Sequence, residues 1–123
     1  MADRVKQFED LDAWQEAKQG VVLVYRLTAN TVLGKDFGLK DQLQRAAVSV
    51  MSNIAEGFER TSMAEKRHFY CIARASAGEV RSLLYIIEEI HSHLDTEVRA
   101  LRNHIMKAGK LITGLIKSTE ARQ

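Results

Sequence analysis

Two Glu-x-x-His pairs, Glu65 with His68 and Glu88 with His91, have the helical spacing by which a bundle holds a di-iron or di-manganese centre. That chemistry needs both pairs on one metal cluster. Twenty-three residues separate Glu65 from Glu88, and at ~1.5 Å of rise per helical residue the two motifs stand roughly 35 Å apart, so one chain cannot close the site. A zinc centre fails differently, because one cysteine and four scattered histidines lack the usual ligand spacing. No metal and no cofactor is expected. Cys71 lies one helical turn from Arg67, His68 and Arg74, a basic setting that favours a thiolate. No third group is spaced to orient it, so an incidental cysteine is the expectation.

Binding is a second kind of chemistry, and the cations are arranged for it. Arg60, Arg67, Arg74 and Arg81 recur every seventh residue, and a helix drifts only about 20° per heptad, so the four are expected on nearly one stripe opposite the apolar face. Arg99, Arg102, Lys107, Lys110 and Lys117 occupy one broad sector of the last helix, while acidic residues gather early, at Asp3, Glu9, Asp10, Asp12 and Glu16. The net charge of +2 conceals this segregation. Basic faces of this kind attract a phosphate backbone, with steep salt dependence. The plainer alternative is a solvated exterior, or pairing with the acidic segment of a neighbouring subunit.

The elements that position these residues follow from composition and period. A chain of 123 residues suits one domain, spanning 1–123. It is 46% apolar and 28% charged, the balance of a folded protein, and with no proline and one cysteine it permits long helices and no internal disulfide. The longest apolar run, Val21 to Tyr25, is far too short to span a bilayer, so a cytoplasmic protein with no membrane partner is expected.

Apolar periodicity predicts helices over about 12–31, 39–57, 62–92 and 96–118. The inward faces are read as Leu11, Trp14, Val21, Tyr25 and Thr28; then Leu39, Leu43, Ala46, Ala47, Val50 and Ile54; then Phe69, Ile72, Ala73, Ser76, Val80, Leu83, Ile87 and Ile90; and finally Leu101, Ile105, Ala108, Ile112 and Leu115. Asp12 with Gln15 and Ser62 with Glu65 read as capping boxes, and Asp95 or Thr96 as the cap of the last helix. Gly34 and Gly38 bracket a short polar loop. The fold class is all-α, an antiparallel up-and-down four-helix bundle.

"DQLQRAAVSVMSNIAEGFERTS" begins as an amphipathic helix and then sets Asn53, Glu56 and Gly57 among apolar neighbours. The expectation is architectural: Gly57 turns left-handed to end the helix, and Asn53 and Glu56 tie down the turn or bond a neighbouring helix, the alternative being a ligand or RNA contact. Ala73, Ala75, Ser76, Ala77 and Gly78 then allow close helix approach.

Two family resemblances bear on function. "RALRNH" resembles the R-x4-H element of the HEPN ribonucleases, a reading in which His104 is general acid or base and Arg99 holds phosphate. A longer resemblance covers Phe8 to about Ile116: "DQLQRAAVSVMSNIAEGFER" followed by "FYCIARASAGEV", preceded by "FEDLDAWQEAK" and "VYRLT", is similar to the four-helix-bundle proteins of the 23S rRNA intervening sequences. Its signature positions here are Ser52, Asn53, Ile54, Ala55, Glu56, Gly57 and Ser76, with departures at Met51, where that family usually has proline, and at Ala75, where it usually has glycine. The resemblance implies an up-and-down bundle assembled as a homopentamer, without enzymatic activity. It also implies kinship with the accessory variability determinants of diversity-generating retroelements, which bind nucleic acid and a reverse transcriptase. The function expected is a non-enzymatic homo-oligomer engaging RNA or DNA through its basic faces, the alternative being a HEPN-like ribonuclease using Arg99 and His104.

Overall fold

The proline-free amphipathic stretches form four long helices in the computed structural model, which describes residues 5–120: α1 Asp12–Asn30, α2 Phe37–Glu59, α3 Met63–Ile90 and α4 Asp95–Glu120. Asp3, one of the early acidic group, lies outside the described residues. Short 3-10 turns at Phe8–Asp10, Val32–Lys35 and Ser92–Leu94 precede α1, α2 and α4. Helix α1 packs on α2 and α4, and α3 packs on α2 and α4. With short links between successive helices, that neighbour order is the up-and-down bundle.

Helix α1 enters the core on a face rotated from the expected one. Ala13, Ala17, Gly20, Val24 and Leu27 are buried beside Leu11 and Thr28, whereas Trp14 and Val21 are only half-buried and Tyr25 is 45% exposed. Size explains the rotation. A Cβ on Gly20 would stand 2.8 Å from Ile105 Cδ1 of α4, so the small residues face inward where the axes approach and the large ones spread to the flanks. The expected Asp12 and Gln15 box does not form. Leu11 precedes the helix, Asp12 is its first residue, and Gln15 Nε2 donates to the Glu9 carbonyl at 2.8 Å.

The link to α2 is less polar than the sequence suggests, because Leu33 is completely buried. Asp36 caps α2 by accepting from the Leu39 amide at 3.3 Å, which leaves Gly38 inside the first turn. The buried stripe of Leu43, Ala46, Ala47, Val50 and Ile54 is as expected, while Leu39 is half-buried. Gly57 does not end this helix. It is buried within α2, which continues to Glu59 and closes on an extended Arg60. A Cβ on Gly57 would stand 2.7 Å from Tyr70 Cε1 and 3.2 Å from the Lys66 carbonyl oxygen. Its role is the close approach of α2 to α3.

Ser62 caps α3 as expected, accepting from the Glu65 amide at 3.1 Å. Tyr70, Ala73, Ser76, Ala77, Val80, Leu84 and Ile87 face inward. Phe69, Ile72 and Leu83, expected inside, are half-buried, and Ile90 is 61% exposed. Ala75 is exposed too, so its methyl adds nothing to a contact between helices of this chain. Buried Leu94 anchors the turn into α4. Asp95 is already helical and pairs with Arg99, so neither it nor Thr96 caps α4. Val98, Leu101, Ile105, Ala108, Ile112 and Ile116 complete the core, with Leu115 half-buried.

Gly57→Ala should destabilise the protein by about 1–3 kcal/mol, the usual cost of forcing bulk into a packed contact. Denaturant unfolding checks this; an unchanged midpoint would mean the Tyr70 ring yields freely.

Candidate nucleic-acid interface

The signature around Asn53 is built mainly into the architecture. Asn53 Nδ2 donates one turn back to the Ser49 carbonyl at 2.9 Å and to Ser49 Oγ at 3.0 Å, and Ser49 Oγ lies 2.7 Å from Ser76 Oγ on α3. Asn53 therefore reaches the neighbouring helix through Ser49 and makes no bond to the turn. Glu56 is exposed and pairs with Arg60 at 2.5 Å, and the Arg60 guanidinium lies 4.7 Å over the Phe69 ring. Lys66 Nζ donates to the Phe58 carbonyl at 2.8 Å, satisfying an acceptor at the end of α2. Ile54 is core, Ala55 half-buried and Ser52 exposed.

The cations divide into engaged and open groups. Arg60 leaves the expected α3 row, since it follows α2 and is held by Glu56. On α4, Arg99 pairs with Asp95 at 2.6 Å. Arg102 makes a forked bond to Glu88 of α3, at 2.7 and 3.1 Å, and its guanidinium lies 4.7 Å over the Tyr85 ring. Both partners are largely shielded, with side chains 16% and 27% exposed. Arg102 holds the Glu88 carboxyl below the usual carboxylate range, first by hydrogen bonding and then by charge, with Arg99 adding to the effect and desolvation opposing it.

Arg74, Arg81 and Lys110 are arranged differently. The row on α3 sits on the flank facing α4 and not opposite the core: Arg74, Arg81 and Gly78 from α3, with Met106, Gly109 and Lys110 from α4, line a groove of about 270 Å³. Among the described residues, none of these three cations is in an ion pair. Arg67 is half-buried, and Lys107 and Lys117 are exposed along α4.

The residues considered for catalysis are not assembled. Arg99 and His104 are five positions apart, which turns them about 140° from each other around the helix. Arg99 is held by Asp95, and His104 Nδ1 sits 2.6 Å from Glu16 Oε1 of α1. Among the described residues no three His, Cys, Asp or Glu side chains gather to hold a metal. Glu88, of the second Glu-x-x-His pair, is occupied by Arg102. Cys71 packs half-buried against the core.

Sequence reasoning did not find the groove, or the Glu88–Arg102 and Glu16–His104 pairs, whose partners are 14 and 88 residues apart. One signal was available for the groove. Gly78 and Gly109 lie inside helices, where glycine costs about 1 kcal/mol relative to alanine, and a Cβ on either would meet nothing within 4 Å.

These features define an all-α up-and-down bundle with a basic groove between its last two helices. The chain belongs to the 23S rRNA-intervening sequence protein family, whose model matches residues 9–114. The same fold occurs in the crystal structure of a protein of unknown function from the S23 ribosomal protein family of Bacteroides thetaiotaomicron VPI-5482. Its TM-score is 0.79 at 22% sequence identity, covering 85% of this chain and 98% of that one. No curated protein matches this chain significantly in sequence. No helix among the described residues is long and apolar enough to cross a membrane.

Asn53→Ala should lower stability by about 1 kcal/mol, the net worth of a part-buried hydrogen bond, read as a lower melting temperature with unchanged helix content. An unchanged melting temperature would remove the architectural role. For Glu88 the folded pKa is depressed, so its contribution is present above the unfolded value, about 4.3, and is lost as pH falls through the folded value. Glu88→Gln should therefore melt below the parent at pH 7, with the gap closing under acid conditions. A gap independent of pH would show that the carboxylate charge is not what matters.

Proposed function

We propose that this protein is a non-enzymatic, self-associating bundle, pentameric in its assembled form, that binds RNA or DNA through basic helix faces in the cytoplasm. The observation that carries the reading is the convergence of Arg74, Arg81 and Lys110 on one groove without acidic partners among the described residues. Cations held apart from carboxylates keep their attraction for phosphate. Lys107 and Lys117 extend the same potential along α4.

Self-association draws support from another surface. Ile86 and Ile90 are 49% and 61% exposed on α3, one helical turn apart, and clustered apolar exposure of this sort marks a protein contact. The kinship with retroelement accessory proteins that the sequence resemblance implies extends the proposal to a protein partner such as a reverse transcriptase. The ribonuclease reading is the less favoured, because Arg99 and His104 point apart and Arg99 is held by Asp95.

Light scattering coupled to size exclusion, with and without a structured RNA, tests both halves. A pentamer that takes up RNA at low salt and releases it at moderate salt is the expected result. A monomer would overturn the assembly, and indifference to RNA at low salt would overturn the binding.

A further inference from the structure

We propose that the α3–α4 groove is a track for single-stranded nucleic acid, with phosphates held over Gly78 and Gly109 between Arg74, Arg81 and Lys110 and a base stacked on Tyr85. The proposal rests on the nucleic-acid reading above and adds the location and the strandedness.

The glycines come first. At Gly20 and Gly57 the missing side chain has an internal reason, since a Cβ would strike Ile105 or Tyr70. Gly78 and Gly109 have no such reason within 4 Å, yet both line the same groove from facing helices. Two bare stretches of backbone opposite one another allow a ligand to approach more closely than side chains would permit.

Charge is the second, independent observation. Arg74 and Arg81 are two turns apart on α3, roughly 10 Å along the axis, and Lys110 faces them from α4. The nearby acids are otherwise occupied: Glu88 is forked by Arg102, and Glu79 lines the cleft between α2 and α3, where it accepts from Gln42. Among the described residues, no carboxylate lines the groove to compete for its cations.

Tyr85 supplies the third. It follows Arg81 by four residues on α3, so the two are neighbours on one side of the helix. Its ring is 55% exposed, and the Arg102 guanidinium, fixed by Glu88, lies 4.7 Å from the ring centre. A ring backed on one face and open to solvent elsewhere is a stacking platform for a base. Met106, 41% exposed in the groove, adds apolar contact.

The concave site selects the strand type. A rigid duplex laid across the crests meets the exposed ends of Arg74, Arg81 and Lys110 but neither lowers its backbone onto Gly78 and Gly109 nor turns a base to Tyr85. A flexible single strand can fold its backbone into the cleft and turn its bases to an aromatic side chain.

Fluorescence anisotropy of the full chain at low salt, with a short unstructured oligopyrimidine RNA and with a duplex of equal length, tests the proposal. The single strand should bind at least about tenfold more tightly than the duplex. Arg74→Gln with Arg81→Gln should weaken it by about tenfold or more and reduce the slope of log affinity against log salt by about 1.4, for two lost single-strand phosphate contacts. Tyr85→Ala should cost about tenfold through lost stacking. Gly78→Ala should raise the melting temperature yet weaken single-strand binding. Gly114→Ala, equally open but outside the groove, should raise the melting temperature and leave binding unchanged. If neither nucleic acid binds at low salt, the functional reading itself falls and this proposal with it. Equal binding of both strand types, or parental binding by the double arginine variant, would overturn this proposal alone. So would loss of oligomeric mass in that variant with RNA affinity intact, which would make the groove a subunit contact.

Discussion

The closeness of backbones where helices meet is the constraint on which the rest of this bundle depends. Gly57 lies under the Tyr70 ring and Gly20 under the end of Ile105, so α2 meets α3 and α1 meets α4 at places where a single methyl group would collide. Alanines at 13, 17, 46, 47, 73, 77 and 108 extend the same narrow seams. Close axes leave no inward room for Trp14, Tyr25 or Ile90, which fall to the flanks. The rotation of α1 from its expected orientation follows from this fact, because packing density outweighs the hydrophobicity of individual side chains.

Each of the four seams is also crossed by a polar contact. Gln44 Nε2 donates to Thr28 Oγ1 at 3.0 Å between α2 and α1, Ser49 meets Ser76 between α2 and α3, Glu88 meets Arg102 between α3 and α4, and Glu16 meets His104 between α1 and α4. An apolar seam tolerates sliding by a turn, whereas a shielded polar group finds its partner in one register. These contacts engage side chains that look reactive in the sequence. Glu88 and His104 are occupied in holding helices together.

What remains available is electrostatic. Three cations outside the ion pairs of the described residues, Arg74, Arg81 and Lys110, meet between α3 and α4 beside backbone left bare by glycine. Cations set apart from carboxylates keep their attraction for polyanions. Among the described residues no His, Cys, Asp and Glu cluster for a metal is assembled, and Arg99 and His104 lie on different sides of α4.

The sequence by itself determined the all-α class, the four segments, their approximate bounds, the cap at Ser62 and the family, because period, proline absence and local motifs act over a few residues. It also marked Asn53 and Gly57 as unusual without disclosing why. Only the tertiary structure decided that Gly57 lies beneath Tyr70 instead of ending α2, that Arg60 belongs to the α2 terminus, that Arg102 and His104 are occupied, and that Arg74 and Arg81 face α4. Those facts depend on which helix stands beside which and at what rotation. Both are set by side-chain volumes summed across facing helices, a property that no single helix's pattern contains.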